Sequence, residues 1–528
     1  MMSKKLKIFL VISIIVSVAI TGFSMTMLWV GVNGPYLNSQ GELLSDWPNA
    51  VIYEVFVRSF YDSDGDGIGD LNGLTEKLDY LQDLGIEGLW LMPINPSPSY
   101  HKYDVTDYYD IDPEYGTLED FNRLLTEAHN RGIKILMDLV VNHTSSQHPW
   151  FKDAYLSSES SYRDWYVWAD AETNLLERGE WNQQVWHGFG ENHYEGIFWE
   201  GMPDLNFDNP AVKKEIIQIA DYWLEQGVDG FRLDAAKHIY SRDDQANVAW
   251  WQEFRQALDE TNPDVFLVGE VWAEASVVAP YLQEGLNSAF DFDLSSKILA
   301  SAKQESNAGA VSYLSRVREY VSTIDEEAID SIFLTNHDMN RIMSELNGNV
   351  NQAKMAASLL LTLPGTPFIY YGEELGMEGK KPDEQIREPM LWYNAPTDTG
   401  QTTWEKARYN LDEKAISVES QLTDPDSLYN HYKRMIYLRR SNDVLINGEI
   451  ETIGLTAPGL IGFKRLTPEE EVVVLHNMSV TPLELELTGD LAEFSEVLFE
   501  NGLLELKSNS VGQVISINPY STVILMPE

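Results

Sequence analysis

The chain has 528 residues, 44% of them hydrophobic, and no cysteine; this excludes a disordered protein, a single small core and thiol chemistry, and calls for two or three packed domains. Its 37 basic residues against 83 acidic ones give a net charge of −46, which repels phosphate backbones and anionic headgroups, so no nucleic-acid partner is expected. The acidic excess fits either a solvated surface or adaptation to high salt, where counterions screen self-repulsion.

Lys4, Lys5 and Lys7 precede an apolar run from Ile8 to Ile20. A basic end followed by a hydrophobic stretch has the form of a signal peptide. No A-x-A site follows, and hydrophobicity resumes through Phe23, Met25, Met27, Leu28, Trp29 and Val30, so Ile8 to Val32, left uncut, is long enough to span a bilayer. Residues 1–32 are read as a signal peptide or N-terminal anchor. The protein is then secreted, or held at the outer face of the cell membrane, and meets the membrane only through this segment.

From Trp47 onward short apolar runs alternate with amphipathic stretches. Val51–Val57 reads as a strand, Leu74–Leu84 as a helix stopped by Gly85, Gly88–Met92 as a second strand, Leu118–Asn130 as a helix and Ile133–Val140 as a third strand. Residues 143–208 lose this rhythm and read as an inserted domain. Helix Ala211–Gln226 restores it, and strands follow near Gly230–Leu233, Val265–Val268, Ala289–Phe292, Ser331–Leu334 and Pro367–Tyr371. Eight strands buried on both faces, with helical crossovers, give a (β/α)8 TIM barrel over 47–142 and 209–438. Beyond it, Val472–Leu475, Leu483–Leu487 and Val523–Met526 alternate or carry β-branched residues, so 439–528 is expected to be a C-terminal antiparallel β-domain.

Polar residues cluster at the carboxyl ends of these strands. Asp138, Asn142 and His143 follow the third; Arg232, Asp234, Lys237 and His238 follow the fourth; Glu270 ends the fifth; His337 and Asp338 end the seventh. That rim is where barrel enzymes place their chemistry, and burying so many charges is costly unless they are paired or functional. The chemistry suggested is glycoside hydrolysis, which needs one protonated and one ionised carboxyl across an acetal bond. Arg232 and Asp234, two apart on a strand, face the same way, so the guanidinium would keep Asp234 ionised. The residues alone leave open whether Glu270 or Asp338 is the acid. DSDGDGIGD (62–70) sets oxygen ligands at Asp62, Asp64, Asp66 and Asp70 among glycines; it begins like an EF-hand loop, but the twelfth position is Gly73 and not Glu.

DLVVNH (138–143), GFRLDAAKH (230–238), GEVW (269–272) and FLTNHD (333–338) resemble, in order and position, the four hallmark regions of the α-amylase family of glycoside hydrolases. MPDLN (202–206) resembles the fifth region of members intermediate between oligo-1,6-glucosidases and neopullulanases, and PGTPFIYYGEELGM (364–377) the eighth-strand segment. The resemblance implies Asp234 as nucleophile, Glu270 as acid and then base, and Asp338 as stabiliser of the transition state. Arg232 would orient Asp234; His143 and His337 would bond the sugar; in HKYD (101–104), His101, Tyr103 and Asp104 would bind it, although Lys102 stands where the family usually has Gly. Ala235 after the nucleophile and the Lys237-His238 pair on the leaving-group side would favour α-1,4 links. A Ca²⁺ site would use the acids of the 62–70 loop with the Ile68 carbonyl; a second Ca²⁺ between barrel and insert would use Asn142, Asp204 and the His238 carbonyl. The implied protein is a retaining α-1,4-glucan hydrolase, expected to act as a monomer on starch-like chains. The competing readings are an oligosaccharide-acting relative (cyclomaltodextrinase or neopullulanase-like, or an α-glucosidase) and an inactive anchored transporter subunit; the intact set of three carboxylates argues against the last.

Overall fold

The computed structural model describes residues 47–528 apart from 191, 396–398, 412–415, 503 and 509–512. The signal or anchor segment 1–32 lies outside the described residues, among which no helix is long and apolar enough to cross a membrane.

Eight parallel strands close into a barrel: Ile52–Val55, Gly88–Leu91, Lys134–Leu139, Gly230–Leu233, Phe266–Gly269, Ser288–Phe290, Ile329–Phe333 and Thr366–Tyr370. Closure is made where Ile52 registers with Gly88 on one side and Phe368 on the other. Ile52, Trp90, Leu136, Phe266, Phe290, Phe333 and Phe368 fill the interior, so the barrel is a packed core and not a pore. A much larger apolar cluster seals the helices onto the outer face.

Several boundaries differ from the sequence reading by a residue or two, and two of the differences have a clear local cause. The first strand ends at Val55, and Val57–Phe60 forms a helical turn where the chain leaves the rim. The predicted helix 74–84 is two helices, Leu71–Glu76 and Leu78–Leu84, joined at Lys77. The first begins three residues early because Asp70 caps it, accepting from the Gly73 N–H at 2.8 Å. The second stops at Gly85, whose φ of 99° is left-handed and where an added Cβ would strike Ile436.

Between the third strand and helix Pro210–Gln226 lies the insert, with helix Pro149–Leu156 and a hairpin of Trp186–Phe189 and Asn192–Glu195. After helix Leu428–Arg440 come a five-stranded and a three-stranded antiparallel sheet. Leu460, Val473, Leu475, Leu485, Ile515 and Leu525 form the core of this region. Buried Arg465 and Arg439 rivet it and the last helix to the barrel by donating to the carbonyls of Thr362 and Leu363, at 2.6 and 2.7 Å.

Candidate active site

The sequence places Arg232 and Asp234 two residues apart at the end of the fourth strand; the fold brings the third and fifth strands against it. Arg232 is fully buried and meets three carboxylates. Its Nη1 donates to Asp234 Oδ1 at 2.7 Å and to Asp138 Oδ1 at 2.9 Å, and its Nη2 lies 2.9 Å from Glu270 Oε2. Asp138 also accepts from Trp90 Nε1 at 3.2 Å and Tyr103 Oη at 3.0 Å. The Ala235 N–H donates to Glu270 Oε2 at 3.1 Å. Ala235 itself has φ 48°, a left-handed turn that throws Asp234 into the cavity and suits a small side chain.

Asp338 is held from the other side. His337 Nε2 is 3.1 Å from its Oδ2, and Arg387 Nη2 donates to its Oδ1 at 3.0 Å. His337 is completely buried, with Nδ1 2.5 Å from Glu54 Oε1 and Nε2 2.7 Å from Tyr103 Oη. It therefore stands behind the cavity wall, fixing Tyr103 and Asp338, and does not line the cavity.

These neighbours separate the carboxyls. Burial pushes Asp234 and Glu270 upward, with Arg232 pulling against it and Asp338 adding to it at both. Burial also acts upward on Asp338, but His337 and Arg387 hold it well below the usual carboxylate range. Asp338 is thus pushed toward its ionised form, and Asp234 and Glu270 both toward holding a proton; at Asp234 burial outweighs Arg232, against the expectation that the guanidinium alone keeps it ionised. Burial acts against charge on His337, but Asp338 and Glu54 outweigh it and raise it to about 9. Burial lowers His101 and His143 to about 4, so both are neutral near pH 7.

The raised value of His337 has a signed consequence. Its charged form stabilises the fold fully below its unfolded value near 6.5, and that contribution is lost as pH rises through about 9. It amounts to on the order of 3 kcal/mol. In thermal melts between pH 6 and 10, wild type is expected to lose more stability than His337→Gln. Parallel curves would show that His337 is not charged in the fold.

A cavity of about 450 Å³ opens over these groups. His101, Tyr103, His143, Asp234, Ala235, His238, Glu270 and Asp338 line it, as sequence placed them. Arg232 lies beneath its floor. Asp104 is buried beside it, accepting from Ser97 Oγ at 2.7 Å and from Ser99 Oγ. Lys237 does not line the cavity; its Nζ is 3.2 Å from both oxygens of Glu180 in the insert. Lys102, in the family's glycine position, keeps a left-handed φ of 66° and buries its amine 2.8 Å from Asp112 and 2.7 Å from Glu114.

Sequence reasoning missed several wall residues. Trp181, Phe198, Trp199 and Met202 come from the insert, Trp272 follows Glu270, and Lys381, Asp383 and Arg387 follow the eighth strand. Apart from Asp383, which opens the short helix Asp383–Ile386, they lie in segments without periodicity, where nothing marks which side chains turn inward. Glu54 was legible: it interrupts a fully buried strand, as the other polar residues do.

In the glycine-rich loop, one carboxylate oxygen from each of Asp62, Asp64 and Asp70 lies within 4.8 Å of the others. Among the described residues no Lys or Arg pairs with them. Asp66 stands apart from this group and accepts from the Ile68 N–H at 2.7 Å. Between barrel and insert, Asn142 Nδ2 donates to Asp204 Oδ1 at 3.2 Å, and the Ile197 N–H to Oδ2 at 3.0 Å. Asn142 Oδ1 is buried without a hydrogen-bond partner. Burial, with Glu195 adding to it, pushes Asp204 well upward.

The profile of the α-amylase catalytic domain matches residues 54–448, and that of the C-terminal domain of the α-amylase SusG matches 460–524. "Alpha-amylase 3" of Dictyoglomus thermophilum is 47% identical, over 91% of this chain and 93% of that protein. A 4-alpha-glucanotransferase of Thermotoga maritima is 37% identical, over 81% of this chain and 95% of its own. The crystal structure of an α-amylase from H. orenii superposes with a TM-score of 0.86 at 46% identity, covering 91% of this chain and 99% of that one. With a closed barrel, three carboxylates converging on one rim and these matches over most of its length, the chain belongs to the α-amylase family of glycoside hydrolases.

Proposed function

We propose that the protein is a retaining hydrolase of α-1,4-linked glucans. The observation that carries this reading is the shared guanidinium of Arg232, which holds Asp234 and Glu270 on adjacent nitrogens while His337 and Arg387 keep Asp338 ionised. Carboxyl pairs stand about 5–5.5 Å apart in retaining enzymes and about 6.5–9.5 Å in inverting ones. Two carboxylates clamped to one guanidinium belong to the closer class. Asp234 attacks the anomeric carbon as Glu270 passes its proton to the departing oxygen; Glu270, now ionised, then takes a proton from the water that releases the sugar. Asp338 faces the positive charge that builds in the ring. Neutral His101 and His143 and the Tyr103 ring hold the sugar. Ala235 leaves room beside Asp234, which supports the α-1,4 preference.

The substrate is an α-glucan and the working unit a single chain. The N-terminal pattern supports an exported enzyme, secreted or anchored outside the cell. Proton NMR of the first-formed product should show the α-anomer, and the product profile on starch, maltotriose, pullulan and cyclodextrin should show rapid chain shortening to mixed maltooligosaccharides. A β-anomer would remove the retaining mechanism. Glucose alone, released from chain ends, would favour the oligosaccharide-acting alternative.

Asp62, Asp64 and Asp70 suit a Ca²⁺ ion, since three hard oxygen donors without a paired cation repel one another unless one binds. The ion would neutralise the loop and steady the helix that Asp70 caps. The unpartnered Asn142 Oδ1, with Asp204 and the His238 carbonyl, would hold a second ion linking barrel and insert. At free Ca²⁺ about 100 times its dissociation constant, each site adds about 2.7 kcal/mol. A chelator should therefore lower the melting temperature by several degrees, and Asp62→Asn should remove part of that shift. A melting temperature indifferent to chelator would sink both sites.

A further inference from the structure

We propose that Lys102 is a positioning residue for catalysis: its buried ammonium ties the loop that carries His101 and Tyr103 to Asp112 and Glu114, and so holds those two side chains in register with the three carboxyls. The inference rests on the hydrolase reading, in which His101 and Tyr103 hold the reacting sugar.

Lys102 is the one buried lysine among the described residues. A buried ammonium is costly unless paired, and ordering a long flexible side chain costs entropy. The backbone adds strain, since a φ of 66° lies in the left-handed region that favours glycine. Such conformations persist where the surroundings over-determine them, and they gather at ligand clamps. Lys102 does not itself line the cavity. Its Nζ stands 2.8 Å from Asp112 Oδ2 and 2.7 Å from Glu114 Oε2, with the Ser97 carbonyl at 3.5 Å.

The rest of the loop is knotted to itself. Buried Asp112 accepts from the Ser97 N–H at 3.1 Å, and Ser97 Oγ donates to Asp104 at 2.7 Å. The Lys102 N–H donates to Ser99 Oγ at 3.2 Å, which lies 3.2 Å from His101 Nδ1. The same nitrogen accepts from the Tyr103 N–H at 3.1 Å. On the far side of His101, Tyr100 stacks on Trp404 at 5.2 Å; Arg58 lies over Trp404 at 5.4 Å and reaches Glu114 at 2.7 Å. His101 is thus gripped between a stacked ring and an ion pair that meet at Glu114. Tyr103, on the other side of Lys102, bonds Asp138 and His337 through its Oη. Those two residues in turn touch Arg232 and Asp338, so a shift of this loop reaches the catalytic pocket.

Lys102→Gly tests this, because glycine keeps the backbone angle without strain and removes only the amine and its carbon chain. On maltoheptaose kcat/KM should fall about tenfold, mostly in kcat, since the misplaced groups touch the reacting sugar. Glu114 is 41% exposed, so the vacated cage opens to water. Added n-butylammonium supplies the missing atoms and should recover much of kcat in Lys102→Gly. n-Butanol, of the same length without the charge, should not, and wild type should respond to neither. Lys102→Met should be as slow as Lys102→Gly. Pairing Lys102→Gly with Asp112→Asn relieves the stranded charge and guards the fold; this variant should stay slow and lose most of the rescue. Wild-type kcat in Lys102→Met or in the double variant, no rescue by butylammonium, or equal rescue by butanol would overturn the inference while wild type still hydrolyses maltoheptaose. Wild type inert on maltoheptaose would instead bring down the hydrolase reading and this inference with it.

Discussion

Asp234→Asn is expected to lose activity on soluble starch by on the order of 10,000-fold or more, because it removes the atom that forms the covalent intermediate. Asp234 Oδ1 takes the shortest of the Arg232 contacts, at 2.7 Å, and sits at the cavity floor. The amide keeps the shape and loses the nucleophile. Glu270→Gln is expected to lose about 100- to 10,000-fold on starch, in the range of general acid–base catalysis. Its deficit should shrink on an aryl α-maltoside, whose leaving group needs little protonation. Asp338→Asn should be as deficient on the aryl substrate as on starch, since an ionised group held by His337 and Arg387 has no proton to give. Reducing-sugar release and aryl-glycoside hydrolysis, measured on all three variants, separate the roles. If Asp338→Asn is the variant rescued by the better leaving group, acid and stabiliser must be exchanged. If Asp234→Asn retains wild-type rates, the mechanism is wrong.

Arg232→Leu is expected to cost the fold about 3–5 kcal/mol, as when one partner of a buried ion-pair cluster is removed. The guanidinium is fully buried between Asp138, Asp234 and Glu270, and among the described residues no second cation touches all three. Without it, three carboxyls share one desolvated pocket, and folding must bind protons to relieve them. The loss should therefore be larger at pH 8 than at pH 5. Urea unfolding at both pH values checks this. Adding Asp138→Asn should recover part of the stability, because it removes the most deeply buried of the stranded charges. A loss below about 1 kcal/mol at pH 8 would mean that the pairing contributes little and that the cluster is held by packing.

The strands of the barrel were legible because each is a short apolar run buried on both faces. The rim residues were legible because a carboxylate in such a run violates that pattern. Boundaries were less so. The split at Lys77 and the early start at Leu71 depend on Asp70 serving as a cap, which the loop acids obscured by reading as metal ligands. Lys237 shows the opposite failure. The motif put it beside the substrate, whereas Glu180, 57 residues away in the insert, captures its amine.

The linear chain by itself determined the architecture and the cast of acids, since alternation, apolar runs and polar interruptions are local properties that any fold of these residues must respect. Only tertiary structure set Asp338 apart from the other two acids. That depends on Arg232, His337 and Arg387, which come from three different segments, meeting particular oxygens inside a low-dielectric pocket. Tertiary structure alone also built the aromatic wall, because Trp181, Trp199 and Trp272 lie in loops whose direction is set by contacts distant in sequence and not by any repeat within it.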